Sequence, residues 1–380
     1  MKKWGVIFGF VILLGLSGCG SGTSEIPSAA PPSNTEAPST KPVWEETEAP
    51  TVPPVLEEPT QVSAPKSTEE LRALLLSAME GLALPPLLDL SGCPVEGQVE
   101  LSLKNIYYGI LAERPELKYA YDLTAELMSD GLVRCRIAYM PYKLGESGTE
   151  GEPVGSLAEL IAVAEDGLEE GLIQIRITNP ELDVDNMNRA LQQVGGGYLV
   201  CGLNQDATAI EYSPATGYSM DECLTLLEKA RATAEKLALE LTTPDMGEGE
   251  RLSALYTWLT DTVKYDHRYY SDRDSLPFAA TTATGAFEDN LAICGGYAHA
   301  LELLCKAAGI EIYTVSGRAA GDYHAWNVVQ VDGLWSYCDP TFDRNMSRFG
   351  FRHFRVSTEV LAEDHEWDAH FIGLLAGEEE

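Results

Sequence analysis

The sequence predicts an α+β protein with two folded parts, the second of which sets a helix at its start against an antiparallel β-sheet. Apolar residues make up 45% of the 380-residue chain, which is enough to give each part a core. Residues 67–243 mix helical periodicity with short alternating segments, as in a mixed α/β accessory domain. Residues 244–380 begin with an amphipathic helix and continue into a hairpin signal, which predicts a separate domain.

Residues 1–19 have the pattern of an export signal. "MKK" precedes the apolar run "WGVIFGFVILLGL", which is too short for a stable membrane span. The following "LSGC" resembles the lipobox of bacterial lipoproteins, and this resemblance implies that Cys19 is lipidated; an ordinary cleavage site is the alternative. We therefore expect a lipid anchor on the outer face of the bacterial cytoplasmic membrane, facing the cell wall or exterior.

Residues 20–66 are mainly Ser, Thr, Pro and Glu and contain hardly an apolar cluster. Such a segment cannot bury enough surface to offset its ordering entropy, so it predicts a disordered, Pro-stiffened tether. At ~3.1 Å per residue, a largely polyproline-like tether would reach up to ~140 Å from the membrane.

Charge and metal-binding patterns exclude several functions. Acidic residues outnumber basic ones 59 to 26, and the resulting charge of −33 repels nucleic acids and mildly favours basic substrates. The eight cysteines show no disulfide framework, so we expect mostly free, buried thiols. No C-x-x-C pair, H-E-x-x-H helix or D-x-[DN]-x-[DN]-G loop occurs, so we expect neither a metal nor another cofactor.

The accessory part contains no histidine and gathers no catalytic side chains. A similar order of helical and alternating segments occurs twice in it, which predicts a diverged repeat. A supporting, substrate-docking or wall-binding role fits this part, and the sequence does not choose among them. The helix that follows it, "RLSALYTWLTDTVKYD", has an apolar stripe of Leu252, Leu255, Tyr256, Leu259 and Val263 and is predicted to pack on a second helix.

That second helix is predicted to begin at Cys294 and to stop before Gly309. A core cysteine is one interpretation of Cys294. A reactive thiol is favoured, because a helix N-terminus stabilises a thiolate and because Gly295 and Gly296 leave room for a substrate backbone. A redox pair with Cys305 is disfavoured, since ~16 Å of helix would separate the two thiols.

A thiolate nucleophile needs a base, and the base needs an acceptor that orients it. Asp332-Gly333 predicts a two-residue hairpin turn that pairs Val331 with Leu334. In this register, His324 and Asp339 share one face of the sheet as diagonal neighbours within hydrogen-bond reach.

Three segments resemble the transglutaminase-like superfamily of papain-like cysteine enzymes, within residues 250–370. They are "ICGGYAHALELLCKAAGI", "DYHAWNVVQVDGLWSYCDPTFD" and "FRVSTEVLAEDHEWD". The resemblance implies a papain-like fold with Cys294 as nucleophile, His324 as general base and acid, and Asp339 as the partner of His324. The backbone N–H of Cys294 would help to hold the oxyanion. Further candidates for oxyanion or substrate contacts are Trp258, Tyr265, Gly295 and Trp326.

We therefore expect a membrane-anchored extracytoplasmic cysteine enzyme that acts on amide bonds of a peptide or protein, with cell-wall peptides among the candidate substrates. Hydrolysis by a peptidase or amidohydrolase is favoured, because water at ~55 M outcompetes amines unless a dedicated site excludes it. A protein-crosslinking transglutaminase is one alternative. A non-catalytic cell-surface binding or scaffold protein is the other.

Overall fold

The computed structural model describes residues 56–95, 98–145, 150–375 and 377. The predicted export signal with Cys19 and most of the predicted tether lie outside these residues. Within the part of the chain that the structure describes, no helix combines the length and apolarity needed to cross a membrane.

The described residues form mixed α and β structure. The helices are α1 (Thr68–Glu80), α2 (Val99–Glu113), α3 (Leu157–Asp166), α4 (Val184–Leu191), α5 (Met220–Leu241), α6 (Glu248–Thr262), α7 (Arg268–Ser271), α8 (Cys294–Ala307), α9 (Thr358–Leu361) and α10 (Ala369–Leu375). The strands are β1 (Val62–Ser63), β2 (Leu87–Leu88), β3 (Ala120–Leu127), β4 (Val133–Tyr139), β5 (Glu152–Val154), β6 (Leu172–Ile177), β7 (Leu199–Leu203), β8 (Ala209–Pro214), β9 (Lys264–Tyr265), β10 (Leu291–Ala292), β11 (Ile312–Ala319), β12 (Asp322–Val331), β13 (Leu334–Cys338), β14 (Phe354–Val356) and β15 (His365–Glu366).

The accessory part contains two sheets with the same topology, and the first of them includes β1 (Val62–Ser63), so the end of the predicted disordered tether is ordered as a strand. The first has the strand order β1-β2-β4-β3 and the second β5-β6-β8-β7, and in each only the first two strands are parallel. Along the chain, both units follow the order strand, helix, strand, helix, strand, strand. A common origin of the two units stays a prediction.

The cores of the two units differ in their extent. The first unit has its own apolar cluster beneath α1 and α2, whereas the cluster of the second unit continues into the C-terminal part. Gln193 joins the second unit to β11 of the C-terminal part. Its side chain donates to the backbone oxygen of Thr314 and accepts from the backbone nitrogen of Thr314. The predicted domain boundary after residue 243 falls between α5 and α6 and stays a prediction.

The C-terminal part sets α8 against a five-stranded antiparallel sheet with the order β14-β13-β12-β11-β15. Helix α8 packs on β11 and β12, and α5 and α6 pack against α8. All five residues of the predicted α6 stripe are buried. The predicted hairpin register is also confirmed, because Val331 pairs with Leu334 and the turn residues Asp332 and Gly333 have φ of +54° and +77°.

Candidate active site

Cys294 is the first residue of α8, as the sequence predicts. Its side chain is almost buried, since only 9% of the residue is exposed. The preceding residue, Ile293, offers no side-chain cap to the first N–H groups of α8, and its own N–H donates to the backbone oxygen of Ala280 at 2.9 Å. The helix therefore presents Cys294 together with N–H groups that no cap residue covers.

His324 on β12 and Asp339, directly after β13, lie as close together as the hairpin register predicts. The distance between His324 Nε2 and Asp339 Oδ2 is 2.7 Å. An ionised carboxylate only accepts hydrogen bonds, so Nε2 is the donor and the other ring nitrogen is left for Cys294. The second carboxylate oxygen of Asp339 accepts from the backbone nitrogens of Thr341 and Phe342, at 2.8 and 3.1 Å. This carboxylate is thus buried but fully hydrogen-bonded.

The electrostatics of the pair favour a charged imidazole and a charged carboxylate. Burial by itself would lower the pKa of His324, but hydrogen bonds to Asp339 and Cys294 raise this pKa to about 10. Burial would likewise raise the pKa of Asp339, but hydrogen bonds from His324 and His365 hold it well below its usual range. The site therefore stabilises an imidazolium next to the Cys294 sulfur.

The raised pKa of His324 predicts a loss of stability at alkaline pH. The folded protein holds the His324 proton up to about pH 10, whereas the unfolded chain releases it near 6.5. The stabilisation is therefore complete below pH 6.5 and is lost as the pH rises toward 10, by up to ~1.4 kcal/mol per pH unit. Urea unfolding of the reduced protein at pH 6 and pH 9 measures this change. The decline should be smaller in His324→Gln, and an equal decline in both proteins would contradict the assignment.

His365 is a second histidine at Asp339, and the sequence reasoning missed it. Its Nε2 lies 3.1 Å from the same Asp339 oxygen that His324 contacts, and its Nδ1 lies 2.6 Å from Asp364 Oδ1. The side chain is buried, and β15 brings it there by pairing His365 with Ala319 at the end of β11. His365 thus contacts the Asp339 oxygen that the two backbone N–H groups do not contact.

The polar network continues behind His365. His353 Nε2 lies 3.1 Å from Asp364 Oδ2, and the backbone nitrogen of His353 donates to Asp343. Tyr256 on α6 donates its hydroxyl hydrogen to the same carboxylate of Asp343 at 2.9 Å. Burial would lower the pKa of His353, but its hydrogen bonds to Asp343 and Asp364 raise it. The network therefore ties α6 and the C-terminal segment to the back of the site.

Two groups of described residues could in principle hold a metal ion. They are His324 with Asp339 and His365, and His353 with Asp364 and His365, and in each the three ligand atoms lie within 4.8 Å of one another. The same atoms form the hydrogen bonds between histidine and carboxylate described above. The expectation of no cofactor stays a prediction.

A cleft of about 360 Å³ opens beside His324. Its walls come from the loop after β9, the β11–β12 turn and the segment after β13, and the lining residues are Tyr265, His267, Tyr270, Ala319, Ala320, Gly321, Asp322, Tyr323, His324, Thr341, Phe342 and Arg344. Of the sequence-derived candidates for oxyanion or substrate contacts, Tyr265 is in this wall. Its pKa is raised by burial, by a hydrogen bond with Tyr270 and by the charge of Cys294.

The structure places the other three candidates differently. Trp326 is fully buried, and its ring stacks on that of His324 with the ring centroids 5.7 Å apart. The indole therefore supports His324 from the core and does not face the cleft. Trp258 packs on Phe287, with ring centroids 6.3 Å apart. A Cβ on Gly295 would lie 3.1 Å from the backbone oxygen of Thr281, so the chain's own backbone fills part of the room predicted for a substrate.

A side chain at Gly296 would be even closer to the backbone of this chain. A Cβ there would lie 2.6 Å from the backbone oxygen of Ala280 and 2.9 Å from that of Thr282. The two glycines after Cys294 therefore allow α8 to begin directly against residues 280–282. The sequence pattern was right about a close backbone approach at Gly296, but the approaching backbone belongs to this chain.

The seven cysteines of the described residues carry free thiols, as expected, and all but the partly exposed Cys93 are buried. Among these buried thiols, Cys294 is the one that heads a helix beside a histidine. Cys338, by contrast, accepts a hydrogen bond from the backbone nitrogen of Arg355 in the core.

Comparison with known families agrees with this geometry. Residues 235–340 match the model of the transglutaminase-like superfamily, so this chain contains a transglutaminase-like domain. Members of this superfamily are typically cysteine peptidases or acyltransferases. The matched region includes α6, α8 and the hairpin that carries His324 and Asp339.

Two similar curated proteins are the Kyphoscoliosis peptidases of Mus musculus and Homo sapiens. They are 28% and 26% identical over an alignment of 210 residues, and the match covers 47% of this chain and 30% of each relative. The chain thus spans less than a third of the length of these relatives. Similar solved structures include a TGase (15% identity, TM-score 0.29, covering 50% of this chain and 56% of that one) and the periplasmic domain of TgpA from Pseudomonas aeruginosa (17% identity, TM-score 0.23, covering 36% and 56%).

Proposed function

We propose that this protein is a cysteine enzyme that cleaves amide bonds, with Cys294 as nucleophile, His324 as general base and acid, and Asp339 as the group that orients His324. The observation that carries this proposal is the position of the His324 ring, whose Nε2 lies 2.7 Å from the buried Asp339 carboxylate while Cys294 is close enough to help raise the pKa of the ring.

In the proposed reaction, the Cys294 thiolate attacks the carbonyl carbon of the amide, and a C–S bond forms. N–H groups at the start of α8 stabilise the oxyanion. The imidazolium of His324 then gives its proton to the leaving nitrogen as the C–N bond breaks, which leaves a thioester on Cys294. Next, His324 takes a proton from water, whose oxygen attacks the thioester. The C–S bond breaks, the acid is released and the thiolate re-forms.

Hydrolysis is favoured over amine transfer. The curated relatives carry the name peptidase, which supports hydrolysis, although their similarity covers less than half of this chain. A crosslinking transglutaminase would follow the same steps up to the thioester and differ in the final acceptor. A non-catalytic scaffold would not require a histidine held against a thiol in a half-buried cleft.

We also propose a location for this activity. The lipobox-like "LSGC" and the polar, Pro-rich residues 20–66 support a lipid on Cys19 and a tethered enzyme on the outer face of the bacterial cytoplasmic membrane. Peptides of the cell wall are then within its reach. The accessory part would act as a support or docking module for such substrates.

The reactivity of Cys294 tests the proposed nucleophile. Purified protein is treated briefly with a low dose of iodoacetamide between pH 5 and 8, and peptide mapping measures the label on each cysteine. Cys294 should label faster than Cys93, although Cys93 is more exposed, because burial, Glu70 and Glu69 raise the pKa of Cys93. In His324→Ala this advantage should be lost. Labelling of Cys294 no faster than that of Cys93 would favour the scaffold alternative.

A further inference from the structure

We propose that the cleft beside His324 binds a carboxylate of the substrate through Arg344. This inference rests on the proposed function and adds a substrate class to it: amides that carry a carboxylate close to the bond that is cleaved. The carboxylate could come from an acidic side chain or from a free chain terminus, and the experiment below separates these two sources.

Arg344 is held in place for such a contact. It lines the same cleft as His324, and its side chain is half-buried. Its Nη1 donates to the backbone oxygen of Thr341 at 2.6 Å, and its guanidinium carbon lies 5.4 Å from the centre of the Tyr265 ring. One hydrogen bond and one ring contact thus fix the guanidinium, whose remaining N–H donors are suited to a carboxylate.

Arg344 also lacks a carboxylate partner, although the chain is rich in acidic residues. Acidic residues outnumber basic ones 59 to 26, and Arg268, the first residue of α7, is paired with Asp266 at 2.6 Å. Among the described residues, no carboxylate lies within 4.0 Å of the Arg344 guanidinium. Arg344 is thus a half-buried cation without a counter-ion in the cleft beside His324. An anionic ligand can supply the missing counter-ion.

The acidic lining residue of the cleft, Asp322, does not cancel this preference. Asp322 is the first residue of β12, and its carboxylate accepts a hydrogen bond from the backbone nitrogen of Tyr323. Asp322 and Arg344 line the same cleft from different segments of the chain, and they do not form an ion pair with each other. The local charge of the Arg344 wall thus opposes the negative charge of the whole chain, and the sequence-based preference for basic substrates does not extend to this wall.

Paired alkylating reagents test the carboxylate site without a known substrate. Iodoacetyl-Glu-amide is compared with iodoacetyl-Gln-amide for a side-chain carboxylate, and iodoacetyl-Gly with iodoacetyl-Gly-amide for a terminal one. For each pair, the labelling rate of Cys294 with the acidic reagent is divided by its rate with the neutral reagent. This ratio is then divided by the same ratio for glutathione, which removes the intrinsic difference in reactivity and gives a corrected ratio. At least one pair should give a corrected ratio of about ten, as expected for a charge-assisted hydrogen bond. The pair that gives it identifies the source.

The matched control is Arg348→Gln, which removes an exposed charge from the same segment of the chain. The corrected ratio should fall to about one in Arg344→Gln and stay near the wild-type value in Arg348→Gln. Corrected ratios near one in wild-type protein, or an equal loss in both variants, would overturn the proposal. These ratios can be measured on a slow thiol too, so a slow Cys294 with an acidic preference would contradict the proposed nucleophile while supporting the carboxylate site.

Discussion

Replacing His324 with glutamine is expected to lower kcat/KM for amide cleavage by about 10²–10⁴-fold, because the variant loses the group that transfers the proton to the leaving nitrogen. Glutamine has a similar size and keeps an N–H donor for Asp339, so the fold should persist. The loss should appear in kcat, since His324 acts on bonds that change in the transition state. Initial rates on a cleaved peptide measure both constants.

His299 provides the control for this variant. It lies on α8, as Cys294 does, but it is directed toward Glu302, whose carboxylate is 3.6 Å from its Nδ1. His299→Gln should keep kcat within a few-fold of the wild-type value. Equal activity of wild-type protein and His324→Gln would show that another group transfers the proton.

Replacing His365 with alanine is expected to cost about 3–5 kcal/mol of unfolding free energy, because it removes one partner of a buried charged network and leaves a cavity. The ring is buried and contacts Asp339 at 3.1 Å and Asp364 at 2.6 Å. Urea unfolding at pH 7 measures the change. Activity should fall as well, since Asp339 then orients His324 with one hydrogen bond fewer.

The exposed His370 in the same C-terminal segment serves as the control. His370→Ala should change the unfolding free energy by no more than ~0.5 kcal/mol, as surface substitutions usually do. If His365→Ala does not fold, His365→Gln, which can return one N–H donor to Asp339, should recover part of the stability. A loss below ~1 kcal/mol in His365→Ala would mean that the network does not depend on this ring.

The parts of the site that follow local rules could be predicted from the sequence. The start of α8 at Cys294 follows from helical periodicity and from Gly309, which ends the helix with φ of +71°. The placement of His324 beside Asp339 follows from the two-residue turn, since strand alternation then decides which side chains share a face. Both rules act over short distances along the chain, so one sequence is sufficient to apply them.

The contacts that depend on distant segments could not be predicted in this way. His365 reaches Asp339 through β15, a two-residue strand at the sheet edge that has no alternation to detect. The only local signal was a histidine directly after Asp364 in "EDHEWD". Likewise, Gly296 is required by the carbonyl groups of Ala280 and Thr282, and no spacing within α8 reveals them.

The central claim, that Cys294 forms a thioester with an amide substrate and that water then releases the acid, is tested most directly by a digest in ¹⁸O-labelled water. Wild-type protein and Cys294→Ala are each incubated with a mixed peptide library and a labelled amine, and mass spectrometry identifies new products. We expect cleaved peptides that carry one ¹⁸O in the new carboxyl group and that are absent with Cys294→Ala. Products that carry the labelled amine would indicate transamidation instead. No products, or the same products from both proteins, would contradict the account.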